Sequence, residues 1–113
     1  MAQQRSVKLS RIVDEFSLEI LHKGSDYDSA LLTIVDVNRP GLQYAGFFEY
    51  FDPRRLQVEG KAEHTYLSSL LPEERRKSYS NLFSYEIPAL VLSRDMEPSA
   101  ECLETAREYE RTL

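Results

Sequence analysis

Tryptophan is missing from these 113 residues, cysteine occurs once and glycine only four times. One cysteine, Cys102, excludes an internal disulfide and any C-x-x-C metal or redox motif, and it suits a reducing cytoplasm. No apolar run approaches the roughly 18 to 20 residues needed to cross a bilayer, so no membrane partner is expected. The opening "MAQQRSVK" lacks the apolar stretch of a secretory signal. Excess positive charge is also absent: the net charge is −5, which argues against nucleic acid, whose backbone requires a cationic surface. Low-complexity tracts and internal repeats are missing too.

What remains is the composition of one globular domain, 42% hydrophobic and 29% charged, with a modest core. Leu9, Ile12, Val13 and Phe16 have the i, i+3, i+4, i+7 spacing of a short amphipathic helix, with Ser6 as its N-cap. Residues 18–21 (LEIL) predict a strand. Residues 30–37 (ALLTIVDV) predict a second, buried on both faces and stopped by Pro40-Gly41. Residues 54–60 predict a third strand, and Tyr66, Leu67, Leu70 and Leu71 share a helical face. Pro72 opens a helix in the first-turn position, with Tyr79, Leu82 and Phe83 on its buried side and a Glu73–Lys77 pair on its exposed one. Residues 87–93 predict a buried strand. The final segment, 98–113, reads as a helix with Cys102, Ala106, Tyr109 and Leu113 on one stripe. This alternation indicates a small α/β domain with a mainly parallel sheet and flanking helices. No strand follows the last helix to close the β-α-β unit begun at Ile87, so the chain is expected to be a piece of a longer protein.

Gly41 and Gly46 have the separation of the two glycines in a phosphate-binding loop. Phe47 and Phe48, however, stand where that loop needs Lys and a hydroxyl to handle charge and Mg²⁺, so phosphoryl transfer is not supported here. His22 and His64 form no metal-ligand spacing and read as solvated surface groups. Cys102 lacks a partnering base and reads as a core residue. Glu49 and Asp52 could form a carboxylate pair, although their setting reads as the solvated face of a strand or turn. Arg39, fixed between Asn38 and Pro40-Gly41 after a strand, is placed either to hold an anion or a neighbouring carboxylate, or to bond the carbonyls of its own turn.

The Asn38-Arg39-Pro40-Gly41-Leu42 corner, the Gly46-Phe47-Phe48 step and Gly60-Lys61 before a helix, in this order, resemble the amino-terminal domain of bacterial HPr kinase/phosphorylase. The resemblance covers essentially the whole chain from Val7. It implies a cytoplasmic, homohexameric parent enzyme of the sugar phosphotransferase system. That enzyme phosphorylates a serine of the phosphocarrier HPr with ATP or pyrophosphate and Mg²⁺, reverses the reaction by phosphorolysis, and sets carbon catabolite repression. In that family the catalytic P-loop lies in the carboxyl-terminal domain, so residues 1–113 would form an accessory or regulatory domain that carries no catalytic residue, metal or cofactor of its own. Its partners would be the carboxyl-terminal kinase domain, the other subunits and, for the parent, HPr. Phe47, Phe48, Tyr50 and Phe51 would serve partly as core and partly as contact surface. The domain is also similar to the amino-terminal domain of Mur ligases, which contacts a uridine nucleotide through Asp-Ser-Arg; only Arg39 of Val37-Asn38-Arg39 matches. The alternative function is therefore a sensor for an anionic metabolite or nucleotide, built on Asn38, Arg39 and Gly41.

Overall fold

Where helices start and stop here is set largely by backbone capping. The structure, a computed structural model, describes residues 6–34, 36–94 and 96–113. In chain order the elements are β1 (Val7–Lys8), α1 (Leu9–Glu15), β2 (Leu31–Leu32), α2 (Gly41–Tyr44), β3 (Gln57–Glu59), α3 (Lys61–Ser68), α4 (Pro72–Phe83), β4 (Leu90–Leu92) and α5 (Ala100–Glu108). Pro72 is the first residue of α4, where its missing N–H leaves no helical bond unmade. At α5 the Ser99 hydroxyl accepts from the Cys102 amide at 3.2 Å.

α2 ends at Gly46, whose φ of +97° is left-handed; Gly46 N–H donates to Gln43 O and Phe47 N–H to Leu42 O. The same two-bond closure ends α1 at Ser17 and α5 at Glu110, both left-handed without glycine's freedom. The last helix therefore stops at Glu108 instead of running to Leu113. Likewise α1 has Lys8 at its N-cap, with no side-chain cap, so the expected role of Ser6 is not met.

Two small sheets result, one of each kind. β1 and β2 pair antiparallel, Val7 opposite Leu32. β3 and β4 pair in parallel, Gln57 opposite Leu90, and Asn38 bridges Gln57 in parallel on the far side. The strands are shorter than the sequence predicts. Residues 18–21 form none, and the 30–37 segment is a strand only at Leu31–Leu32, with Val35 outside the described residues. Nor is that segment buried on both faces, since Leu31 and Val37 are each half exposed.

The main core lies between β4 and helices α4 and α5. Tyr79, Leu82, Phe83, Ile87, Leu90, Cys102 and Ala106 are all buried there, as the helical stripes predict. Of the expected face Tyr66, Leu67, Leu70 and Leu71, only Leu67 is fully buried in this core; Leu70 packs partly buried against it, and Tyr66 and Leu71 are exposed. A second, smaller cluster joins Leu9, Tyr27 and Ala89. Among the described residues no helix is long and apolar enough to cross a membrane.

Candidate functional site

The residues at the turn after Asn38 converge on two polar clusters beside β3. In the first, the Asn38 amide nitrogen donates to Gln57 Oε1 at 2.7 Å and to Gln43 Oε1 at 3.0 Å. Gln43 Nε2 then donates to the Phe47 carbonyl at 3.2 Å and Gln57 Nε2 to the Arg55 carbonyl at 2.8 Å. Both glutamines are buried, so each polar end needs such a partner.

Arg39 reaches the other way. Its Nε and Nη2 donate to the two carboxylate oxygens of Glu63 at 2.6 and 2.9 Å, a bidentate pair. Glu63 Oε1 also accepts the Gly60 amide at 2.7 Å, capping α3. Burial alone would raise the Glu63 pKa; the Arg39 and Gly60 hydrogen bonds outweigh it and hold the carboxyl below its usual range. A Cβ at Gly60 would meet the Arg39 guanidinium, so a larger residue there would push that side chain off its place on Glu63. Gly41 lies over the Glu63 side chain and donates its N–H to the Arg39 carbonyl. Asn38, Arg39 and Gly41 are thus brought together, and Arg39 holds a carboxylate, one of the roles its position suggests, supplied by Glu63, 24 positions downstream. Its side chain is nonetheless 56% exposed.

The second cluster joins residues that no local spacing links. Glu59 has no solvent exposure, and its Oε1 accepts from the hydroxyls of Tyr44 at 2.8 Å and Tyr79 at 2.9 Å. Its Oε2 lies 2.9 Å from Nδ1 of His64, whose side chain is only 28% exposed. His64 is therefore held by a buried carboxylate and is not the solvated surface group that its spacing suggests. His22 departs from that expectation as well, since its Nδ1 lies 3.0 Å from the Arg111 carbonyl. Desolvation, with Glu59 adding to it, pushes the Tyr44 and Tyr79 hydroxyls up in pKa and keeps the Cys102 thiol protonated. Cys102 is a core residue, as expected.

Asp52 does not pair with Glu49 for acid–base work. It takes both guanidinium donors of Arg54 at 3.0 Å, and those hydrogen bonds hold its pKa down. The cations of α4 also differ from expectation: Arg75 bonds Glu101 and Arg76 bonds Glu104 on α5, and no Glu73–Lys77 pair occurs among the described residues. The aromatic stretch divides. Phe48 stacks on Tyr85 with ring centres 4.9 Å apart and Phe51 packs edge-on against both, whereas Phe47 and Tyr50 are exposed.

Chemically, both clusters are hydrogen-bonded scaffolds closed on themselves. The α2 turn presents Phe47 and Phe48 where a nucleotide phosphate and its Mg²⁺ would need a cation and a hydroxyl, so the residues present do not fit those groups. No step through ATP, pyrophosphate or Mg²⁺ is derived for this chain.

A family model described as the HPr Serine kinase N terminus matches residues 7–113. The HPr kinase/phosphorylase of Peptoclostridium acidaminophilum is 42% identical over 113 residues, covering 100% of this chain and 36% of that protein. That of Clostridium acetobutylicum is 43% identical over 107 residues, covering 95% and 34%. That of Alkaliphilus metalliredigens is 37% identical over 109 residues, covering 96% and 35%. The chain spans about a third of the length of these relatives.

Proposed function

The chain belongs to the family of HPr serine kinase N-terminal domains, and from that premise we propose that it is the non-catalytic amino-terminal domain of a cytoplasmic HPr kinase/phosphorylase. The parent would transfer phosphate from ATP or pyrophosphate, with Mg²⁺, to a serine of HPr and remove it again, acting in carbon catabolite repression. This domain would serve assembly or regulation of the enzyme, a homohexamer, and would be joined to a carboxyl-terminal kinase domain carrying the P-loop. The single observation behind this reading is that the match takes up nearly all of this chain but about a third of each relative. The polar clusters agree with it, because their side chains are spent on one another. A fold likeness to the amino-terminal domain of Mur ligases, with a mainly parallel sheet, belongs to the same proposal and is supported by the parallel Asn38–β3–β4 alignment.

The test removes residues 1–113 from the full-length protein. Phosphoryl transfer to HPr should persist, while sedimentation or the balance between kinase and phosphorylase activity changes. Loss of transfer in a remainder that is still folded would overturn the reading.

A second reading, favoured by the half-exposed guanidinium of Arg39, is that the Asn38-Arg39-Gly41 corner senses an anionic metabolite or nucleotide that displaces Glu63. A panel of phosphate-bearing compounds should then raise the melting temperature of the parent protein, and Arg39→Ala should abolish the rise. Indifference to the whole panel removes this reading.

A further inference from the structure

Thr112 and Leu113 lie between two backbone segments, and their bonds are those of a strand just beginning. The Leu113 N–H donates to the His22 carbonyl at 2.9 Å, and the Leu113 carbonyl accepts from the amides of His22 at 3.2 Å and Leu21 at 2.9 Å. This reciprocal exchange is the close pair of an antiparallel ladder. On the other side the Leu90 N–H donates to the Thr112 carbonyl at 3.1 Å. An antiparallel partner would return a bond from the Thr112 N–H to the Leu90 carbonyl, and among the described residues none occurs. A single slanted bond of this kind belongs to a parallel ladder.

A cleft of about 490 Å³ lies along the same line. It is lined by Leu18 and Ile20, by Leu90 and Leu92 of β4, by Ile12 of α1 and by Leu113. β3 takes the Ala89 carbonyl through Gln57 N–H and the Ser93 N–H through the Glu59 carbonyl. By the alternation of a strand, the N–H and C=O groups of Leu90 and Leu92 point away from β3. Of these four groups, only the Leu90 N–H has a partner among the described residues. Phe16, 67% exposed, and Leu21, 38% exposed, also line the cleft.

We propose that the polypeptide immediately following position 113 in the longer parent fills this cleft as a β-strand, parallel to β4 and antiparallel to residues 18–22. The relatives are nearly three times as long as the stretch they share with this chain, so their continuation supplies an occupant whose path begins here. The strand completes a β4–α5–strand unit, whose crossover is almost always right-handed. At a rise of about 3.3 Å per residue, three or four residues match the length of β3 and β4. Being flanked on both edges, these residues should be apolar and rich in β-branched types. The connection to the rest of the enzyme then leaves from inside this domain's sheet, so the structural boundary lies beyond residue 113.

Residue-resolved hydrogen exchange on the full-length protein tests this. The Leu92 amide and the amides of the first residues after Leu113 should exchange on the order of a hundredfold slower than unstructured amides, as should the Leu90 amide, which serves as the internal reference. A Leu92 amide that exchanges freely while Leu90 is protected overturns the proposal. So does Leu92 protection that vanishes when subunits are dissociated by dilution, because the occupant would then be a strand of a second copy.

Discussion

Glu59 is a carboxylate without solvent contact that keeps three donors around it, from Tyr44, Tyr79 and His64. Removing one donor leaves a buried acceptor short of a partner. Tyr79→Phe should therefore destabilise by roughly 1 to 3 kcal/mol in urea unfolding, although it deletes a single oxygen. A loss within ±0.3 kcal/mol, by contrast, would mean that the cluster does not brace the core. Left-handed positions give an opposed pair of expectations. Gly46→Ala meets no neighbour, so its cost of about 1 kcal/mol comes from φ alone. Glu110→Gly relieves the same strain at the end of α5 and should stabilise by a similar amount, less what glycine adds to the entropy of the unfolded chain. Thermal melts of the two variants should move in opposite directions.

Among the elements, α4 is tied to its neighbours by two arginines in different surroundings. Arg75 donates to the Leu67 and Leu70 carbonyls at 2.9 and 3.0 Å and also bonds Glu101, with both charged side chains less than a fifth exposed. Arg75→Met strands two carbonyls and a largely buried carboxylate, and should cost on the order of 2 kcal/mol. Arg76 and Glu104 are each about half exposed, and Arg76→Ala should cost clearly less than Arg75→Met, with an effect that shrinks further as salt rises. Equal effects from the two substitutions would refute this ranking. The sequence displayed Glu73, Glu74, Arg75, Arg76 and Lys77 as one charged run with pairing inside the helix. It held no sign that α5 would lie alongside and take two of those cations. Element identity was legible where a stripe met a start signal, as at Pro72. Strand length was not, because a strand is defined by its partners.

At the scale of the whole molecule, the corner joins segments far apart in the chain. Glu63 holds Arg39 and caps α3, and its folded-state pKa is depressed. A depressed carboxyl contributes stability that is present above its unfolded pKa, near 4.3, and is lost as pH falls through the lower folded value. Unfolding free energy should thus drop below about pH 4.3, and Glu63→Gln should flatten that part of the profile while lowering stability at pH 7. An unchanged acid limb in the variant would place the linkage elsewhere. The Cα radius of gyration, 13.7 Å, is close to the roughly 13 Å expected for a folded domain of this length. The molecule is therefore already collapsed even with β4 open along one edge.

The sequence by itself determined the α/β alternation, the buried stripes of α4 and α5 and the family, because local spacing is written in neighbouring residues; Pro40-Gly41, expected to end a strand, instead opens the short helix α2. Only the tertiary structure decided that Arg39 meets Glu63, that His64 rests on a buried Glu59, and that residues 18–21 form no strand in this chain. Those outcomes depend on which groups arrive together from distant positions, and burial, which makes each such pairing compulsory, exists only once the chain has folded.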